Sequence, residues 1–524
     1  MSDKIYDTVI IGAGMSGLAA GVRLAQYDRS VCILEKHSAI GGLNSFYRRR
    51  GRNYDVGLHA MTNFAPKGTK IGPLARIIRH LRMPWDELAL TQQNGSAIAF
   101  PGVELNFSNE FERFETEIAE KFPSQIDGFR KMAAGLADYD QLGLGSSGGS
   151  AREYVERFIT NPLLVDMIFC PLLYYGGARE HDMEFGQFCI MFRSIFLEGF
   201  ARPRDGVRHI LLKLLNKFRS LGGELRLRAG AKRMEIRNGE IVGAVLENGE
   251  EVRAKRFLSS AGWPETMKLC GDDSVASRNR AGKLAFIETI SVLDASPKSF
   301  GHDKTIVFFN DSDQFSYRNP DQLVDLRSGV VCSPNNFAYS EPLEENMMRI
   351  TALANYDLWR KLSPEEYQYQ KKRWYEKTLE SATRFVPEFR GHIVDVDMFT
   401  PLTVERYTGR VNGAIYGAVI SELLGYVTAM CGRWIVSDRL FPIKWNFRYF
   451  IGIIALYGAA AYGQTRIIFA QMPWGLSFLL RLLLAMAVIG VGYLVMDPAA
   501  RETLKNIGTG IRSKLKNRKQ KTPA

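Results

Sequence analysis

Six residues near the start of the chain, Gly12-Ala13-Gly14-Met15-Ser16-Gly17, have the types and spacing to receive a phosphate group. Glycine at the first position permits a tight turn. At the second it lets the backbone approach a pyrophosphate, and at the third it lets a helix pack on a sheet. A helix that begins there aims free N–H groups and partial positive charge at anionic oxygens. Glu35, eighteen residues beyond Gly17, can accept hydrogen bonds from ribose hydroxyls. A GxGxxG pattern also occurs as an ordinary structural turn, so the elements around it decide its meaning.

Those elements are in place. Residues 5–11 read as a short buried strand. Leu18, Ala19, Val22, Leu24 and Ala25 follow at helical spacing, and Val31–Leu34 forms a second strand that ends at Glu35. Strand, glycine turn, helix, strand and terminal acid together predict a nucleotide-binding βαβ unit. Gly41-Gly42 comes next, then the arginine-rich stretch 48–52, then Tyr54-Asp55-Val56-Gly57-Leu58-His59.

At this point the sequence resembles a known family. The stretches GAGMSGLAAGVRLA and LEKHSAIGGLNSFYRRRGRNYDVGLHAM look like those of the FAD-dependent polyisoprenoid oxidoreductases. These are the phytoene desaturases, carotenoid isomerases and retinol saturases, with the amine oxidases as more distant relatives. The resemblance implies FAD as cofactor, with Gly41, Gly42 and Leu43 beside the pyrophosphate and Asp55 and Gly57 near the rest of it. Ala13, Met15 and Ser16 complete the first turn, and Lys36 accompanies Glu35. It further implies a second cofactor segment around Pro203, Gly206 and Ala231, with Val207 in place of a second glycine, and a strand returning to the cofactor sheet at Ser260-Ala261. No second GxGxxG appears, so a permanent NAD(P) domain is not expected.

The expected fold is α/β: a doubly wound, Rossmann-like FAD domain with an inserted α+β substrate domain and a C-terminal transmembrane hairpin. The cofactor domain is expected in three segments, 1–60, 201–265 and 395–440, the last shortened. The substrate domain is expected over 61–200 and 266–394, the membrane hairpin over 441–496 and a basic tail over 497–524. Residues 61–200 show helical patterns near 108–120, 126–142, 151–158 and 185–199 and few strand signals. Tyr174, Tyr175, Phe192, Phe196 and Phe200 form an aromatic group that suits core packing better than a channel wall. Val207, Ile210, Leu211, Leu214, Leu215 and Phe218 define one helix face, and the pairs Asn238-Gly239 and Asn248-Gly249 predict hairpin turns. Thr400-Pro401 is read as part of a strand leading to Tyr416-Gly417. The family's next strand and glycine-rich turn are missing after it.

Residues 449–465 carry no charge, and 467–496 carry only Arg481. Two runs of this length suit a bilayer crossing. Of the net charge of +12, half falls in 497–524, so the body is not that of a nucleic-acid-binding protein. The positive flanks place body and tail on the cytoplasmic side. The first apolar run is short and runs into glycines, so no secretory signal is expected. Six scattered cysteines with no CxxC pair fit reduced thiols, and no metal site is expected. These readings predict a membrane-associated FAD oxidoreductase acting on an apolar isoprenoid, in contact with membrane lipid and with an external electron acceptor or donor. A flavin amine oxidase and a non-catalytic member without flavin are the alternatives. His59 is the named acid–base candidate; Glu405 and Arg406 are weaker ones.

Overall fold

Thr8–Ile11 and Val31–Leu34 are buried at every position, as parallel strands covered on both faces must be. They pair in parallel, with Glu224–Arg226 beyond the second and Phe257–Ser259 beside the first. Residues far apart in the chain thus build one four-stranded parallel sheet. The computed structural model describes residues 4–415 except 58–59, 138, 140–148, 275–280 and 313. Helices Met15–Ala25 and Val207–Ser220 share one apolar cluster with this sheet, and the six predicted positions of the second helix are all buried. Gly21 permits the close approach: a Cβ there would stand 2.8 Å from Ile33 Cδ1 and 3.0 Å from Phe218 Cε2.

A second sheet is built from the hairpin Ala231–Arg237 and Glu240–Leu246, then Glu251–Ala254, with Ile5–Tyr6 in parallel at its edge. Asn238 and Gly239 both have positive φ, 53° and 80°, as a two-residue hairpin turn demands.

The largest sheet has seven strands. In spatial order they are Ile393–Phe399, Ala285–Leu293, Asn346–Ala354, Ser328–Cys332, Ile306–Asn310, Ser96–Phe100 and Val103–Phe107. All neighbours are antiparallel except Ile306–Asn310 with Ser96–Phe100. Alternate side chains enter two separate cores. Ile306 and Phe308 join the helices of 111–192 on one face; Val307 and Phe309 join helix Pro364–Ala382 on the other.

Several expectations need correction. The hairpin of Ser96–Phe100 and Val103–Phe107 lies where few strand signals were read. The helix expected over 126–142 is described as Ile126–Ala137, and the one over 185–199 is Phe185–Phe192 continued by a π-helical turn at Arg193–Leu197. Thr400-Pro401 starts no strand. Pro401–Thr408 is a helix, capped reciprocally by Thr400 and Thr403, with proline at a first-turn position that needs no N–H donor. Strand Ile393–Phe399 runs across the boundary expected at 395 and forms an edge of the large sheet. The membrane hairpin and basic tail lie outside the described residues, as do His59 and the Tyr416-Gly417 junction. Among the described residues no helix is long and apolar enough to cross a membrane.

Candidate functional site

The glycine turn sits where strand Thr8–Ile11 hands over to helix Met15–Ala25. Gly12 has φ +95° and donates its N–H to Leu34 O at 2.8 Å. Gly17 is demanded by packing, since a Cβ there would lie 2.1 Å from Gly12 O. Gly14 differs. A Cβ on it would meet nothing nearer than Gly41 O at 3.9 Å, so the absent side chain leaves open space at the helix start. No side chain caps this helix, so the first-turn N–H groups of Met15, Ser16 and Gly17 face that space without a side-chain acceptor. This is a cradle of the kind a phosphate fills.

Glu35 lies beneath the turn and is buried. Its two carboxylate oxygens accept from Ala13 N at 2.8 Å and His37 N at 2.9 Å. The acid thus holds the glycine turn to the second strand's end and keeps lone pairs for further donors. Lys36 turns outward to Glu247, at 3.3 Å. Segment 228–231 is tied to the same strand end: Ala229 N donates to Glu35 O and Arg228 N to His37 O. Ala231 therefore lies close to Glu35 and Lys36. Gly41 N donates to Ala13 O at 2.9 Å, which sets Gly41, Gly42 and Leu43 alongside the first turn. Gly41 has φ +118°, and a Cβ there would stand 2.6 Å from Ser45 Cα. Ser260 donates its side-chain hydroxyl to Ile11 O and Gly12 O, which brings Ala261 to the other flank of the turn. Gly57 has φ +67° and packs on Leu43 O.

Asp55 enters a buried chain of alternating charges. Its Oδ2 lies 3.3 Å from Arg202 Nη2, and its main-chain oxygen accepts from Arg349 Nη2 at 2.9 Å. Arg349 also pairs with Glu288, and all four residues are buried. Burial lifts the Glu288 pKa above the usual carboxylate range, against the pull of the Arg349 cation. Asp55 Oδ1 is buried with no hydrogen-bond partner. Gly206, at the start of helix Val207–Ser220, closes over this carboxylate: a Cβ there would fall 1.6 Å from Asp55 Oδ2.

Arginines 49, 50 and 52 prove to be a clasp. Arg49 pairs with Asp397 at 2.7 Å, while Arg50 and Arg52 lie 2.5 and 3.4 Å from Asp395, on the edge strand of the large sheet. Tyr47 and Tyr54 donate to the same two carboxylates at 2.7 and 3.0 Å. Burial opposes ionisation of Asp395 and Asp397, but the hydrogen bonds from Tyr54 and Tyr47 and from the arginines outweigh it and hold both below the usual range. The local arginine richness was the only sequence signal for this clasp; its partners stand some 340 residues away.

Other chemistries find less support. Burial pushes Cys32, Cys189 and Cys332 up to about 12, so these thiols stay protonated. No group of three metal-ligating side chains occurs among the described residues. Glu405 accepts from Tyr356 Oη at 2.8 Å, and Arg406 is exposed. Phe192, Phe196 and Phe200 are packed solid, with Phe196 stacked on Phe114 at 4.5 Å, and line no channel.

A family model described as an NAD(P)-binding Rossmann-like domain matches residues 10–74. Prolycopene isomerase 2, chloroplastic, of an Oncidium hybrid cultivar is 23% identical, covering 83% of this chain and 80% of its own length. The all-trans-retinol 13,14-reductase of Danio rerio is 23% identical over 79% of this chain and 77% of its own. A putrescine oxidase variant has the same fold, with a TM-score of 0.51 at 16% identity over 79% of this chain and 87% of that one.

Proposed function

We propose that this chain, an FAD-dependent oxidoreductase that resembles the phytoene desaturases, carotenoid isomerases and retinol saturases, acts on a long polyisoprenoid, a carotenoid, carotenoid precursor or retinoid-like molecule, in association with a membrane. The observation that carries the flavin part of the reading is the open cradle at Gly14, with an uncapped helix above it and the Glu35 carboxylate beneath.

FAD, when bound, supplies hydride exchange with a substrate carbon, which covers desaturation, saturation and isomerisation. The chain's own residues bind and orient. In the turn Gly12, Ala13, Gly14, Met15, Ser16 and Gly17, the first two hold the backbone in place through Leu34 O and Glu35, Gly14 leaves space, and the N–H groups of Met15, Ser16 and Gly17 are offered to the pyrophosphate. Gly41, Gly42 and Leu43 line its other side. Glu35 and Lys36 receive the ribose end, and Ala231 brackets the adenine. Ala261 flanks the turn. Asp55 and Gly57 bound the remainder of the cofactor, with the free Asp55 Oδ1 available to a donor. His59 is the proposed acid–base group.

The cofactor domain is proposed to comprise 1–60, 201–265 and the segment after the large sheet's edge strand. The apolar runs within 441–496 would give access to lipid-dissolved substrate from the cytoplasmic side. Relatives named for a prolycopene and a retinol support the substrate class. The test begins with the full chain purified in mild detergent. Flavin absorption near one per chain is expected, followed by conversion of carotenoid precursors but not polyamines. A chain that stays colourless with added FAD overturns the enzyme reading, and polyamine oxidation would turn it to an amine oxidase.

A further inference from the structure

Residues 67–82 hold Lys67, Lys70, Arg76, Arg79 and Arg82 and no carboxylate. Helix Pro73–Leu81 turns Leu74, Ala75 and Leu81 inward and presents Arg76, Ile77, Arg79 and His80 to solvent. Ile77 is 54% exposed and Ile71, just before the helix, 79%. Tyr27, also exposed, is linked to this helix through Arg23, which donates to Tyr27 Oη at 2.9 Å and to His80 O at 2.7 Å. Helix Val207–Ser220 enters the same apolar cluster and adds four cations and the part-exposed Leu212.

The three helices that share this cluster, Met15–Ala25, Pro73–Leu81 and Val207–Ser220, therefore carry seven Lys/Arg and no Asp or Glu. By contrast, helix Pro364–Ala382 on the large sheet carries four of each sign. The charge on the helices is segregated, although Asp86 pairs with Lys67 at 2.5 Å and the exposed Asp205 stands just before Val207–Ser220, 3.9 Å from His209.

A single exposed isoleucine is ordinary on a protein surface. Ile71 and Ile77 differ in standing within a cationic field. That combination matches one occupant: cations meet lipid phosphates at about 1 kcal/mol each, while apolar side chains enter the acyl boundary. A nucleic acid would satisfy the cations and leave the isoleucines in water. We propose that the outer face of segment 67–82, with cations added from helix Val207–Ser220, is a docking surface for an anionic lipid bilayer. It deepens the membrane part of the preceding proposal and does not depend on the C-terminal runs.

The test is hydrogen–deuterium exchange of the full chain on phosphatidylcholine vesicles with and without phosphatidylglycerol. Exchange over 64–82 is expected to slow several-fold only where phosphatidylglycerol is present. The slowing should vanish in high salt and in the Arg76→Glu, Arg79→Glu double variant, while 364–382 stays unchanged. Equal exchange over 64–82 on both vesicle types overturns the surface, as an acidic protein partner would predict. Slowing that survives both salt and charge reversal also overturns it. A chain retained on vesicles without this protection keeps its anchor and loses the surface. The flavin spectrum reports on the catalytic reading separately.

Discussion

The parallel sheet and the seven-stranded sheet treat space in opposite ways. Past Thr8–Ile11, side chains are withheld. Gly12, Gly14 and Gly17 bring the backbone close, the helix start stays uncapped, and Glu35 holds the turn from below. Over the large sheet, side chains fill everything. Phe107, Phe114, Phe196 and Phe308 sit almost without exposure, and charges that enter are matched, as in Glu288 with Arg349. A site made by omission fails when an atom is added. A core made by filling fails when one is removed.

That contrast can be broken by experiment. The largest effect is expected from Arg349→Met, which removes the Arg349 cation from the buried Glu288. It should lower unfolding free energy by about 3–5 kcal/mol in denaturant titration. If Asp55 answers to Arg349 as the distances indicate, flavin affinity will fall as well. Gly17→Ala adds one carbon against Gly12 O and should weaken FAD binding several hundredfold, about 3.5 kcal/mol by titration, with a much smaller loss of stability. Equal losses of both would erase the distinction between the two sheets.

His302 sharpens the comparison through pH. It is buried in the large-sheet lobe, and burial lowers its pKa to about 4 from 6.5. The folded state favours neutral imidazole, so this contribution is complete above pH 6.5 and is lost as pH falls towards 4. Stability should drop by on the order of 3 kcal/mol across that window, and His302→Gln should flatten the drop in denaturant midpoints. The smallest effect is expected from Glu35→Gln, which keeps the shape and removes charge. FAD affinity should fall about tenfold, and stability by about 1 kcal/mol, because the new amide NH2 faces one of the two N–H groups, of Ala13 or His37, that the carboxylate accepts from.

The parallel sheet was legible because its signals are local. The six-residue turn and the acid at 35 each declare their geometry within a few residues, as do the Asn-Gly pairs of the second sheet. The large sheet was less so. Ser96–Phe100 and Val103–Phe107 are joined by Pro101-Gly102, a turn signal inside a stretch read for its helical patterns. At Thr400-Pro401 the residues of a helix start were present, but the resemblance drew the reading towards a strand. The chain of Glu288, Arg349, Asp55 and Arg202 was invisible, because its members stand 61 to 294 residues apart and no local pattern links them.

The pairing of Thr8–Ile11 with Phe257–Ser259 also sets an order of events during synthesis. The strand that carries the glycine turn leaves the ribosome well before its second neighbour, which follows some 250 residues later. Until then one edge of buried-type residues stays open, while the other pairs with the nearby Val31–Leu34. Closing so long a loop precedes any reward from the contacts it makes. The nascent chain therefore makes some 250 residues with one edge of this apolar strand unpaired, a period in which a chaperone is most useful to it.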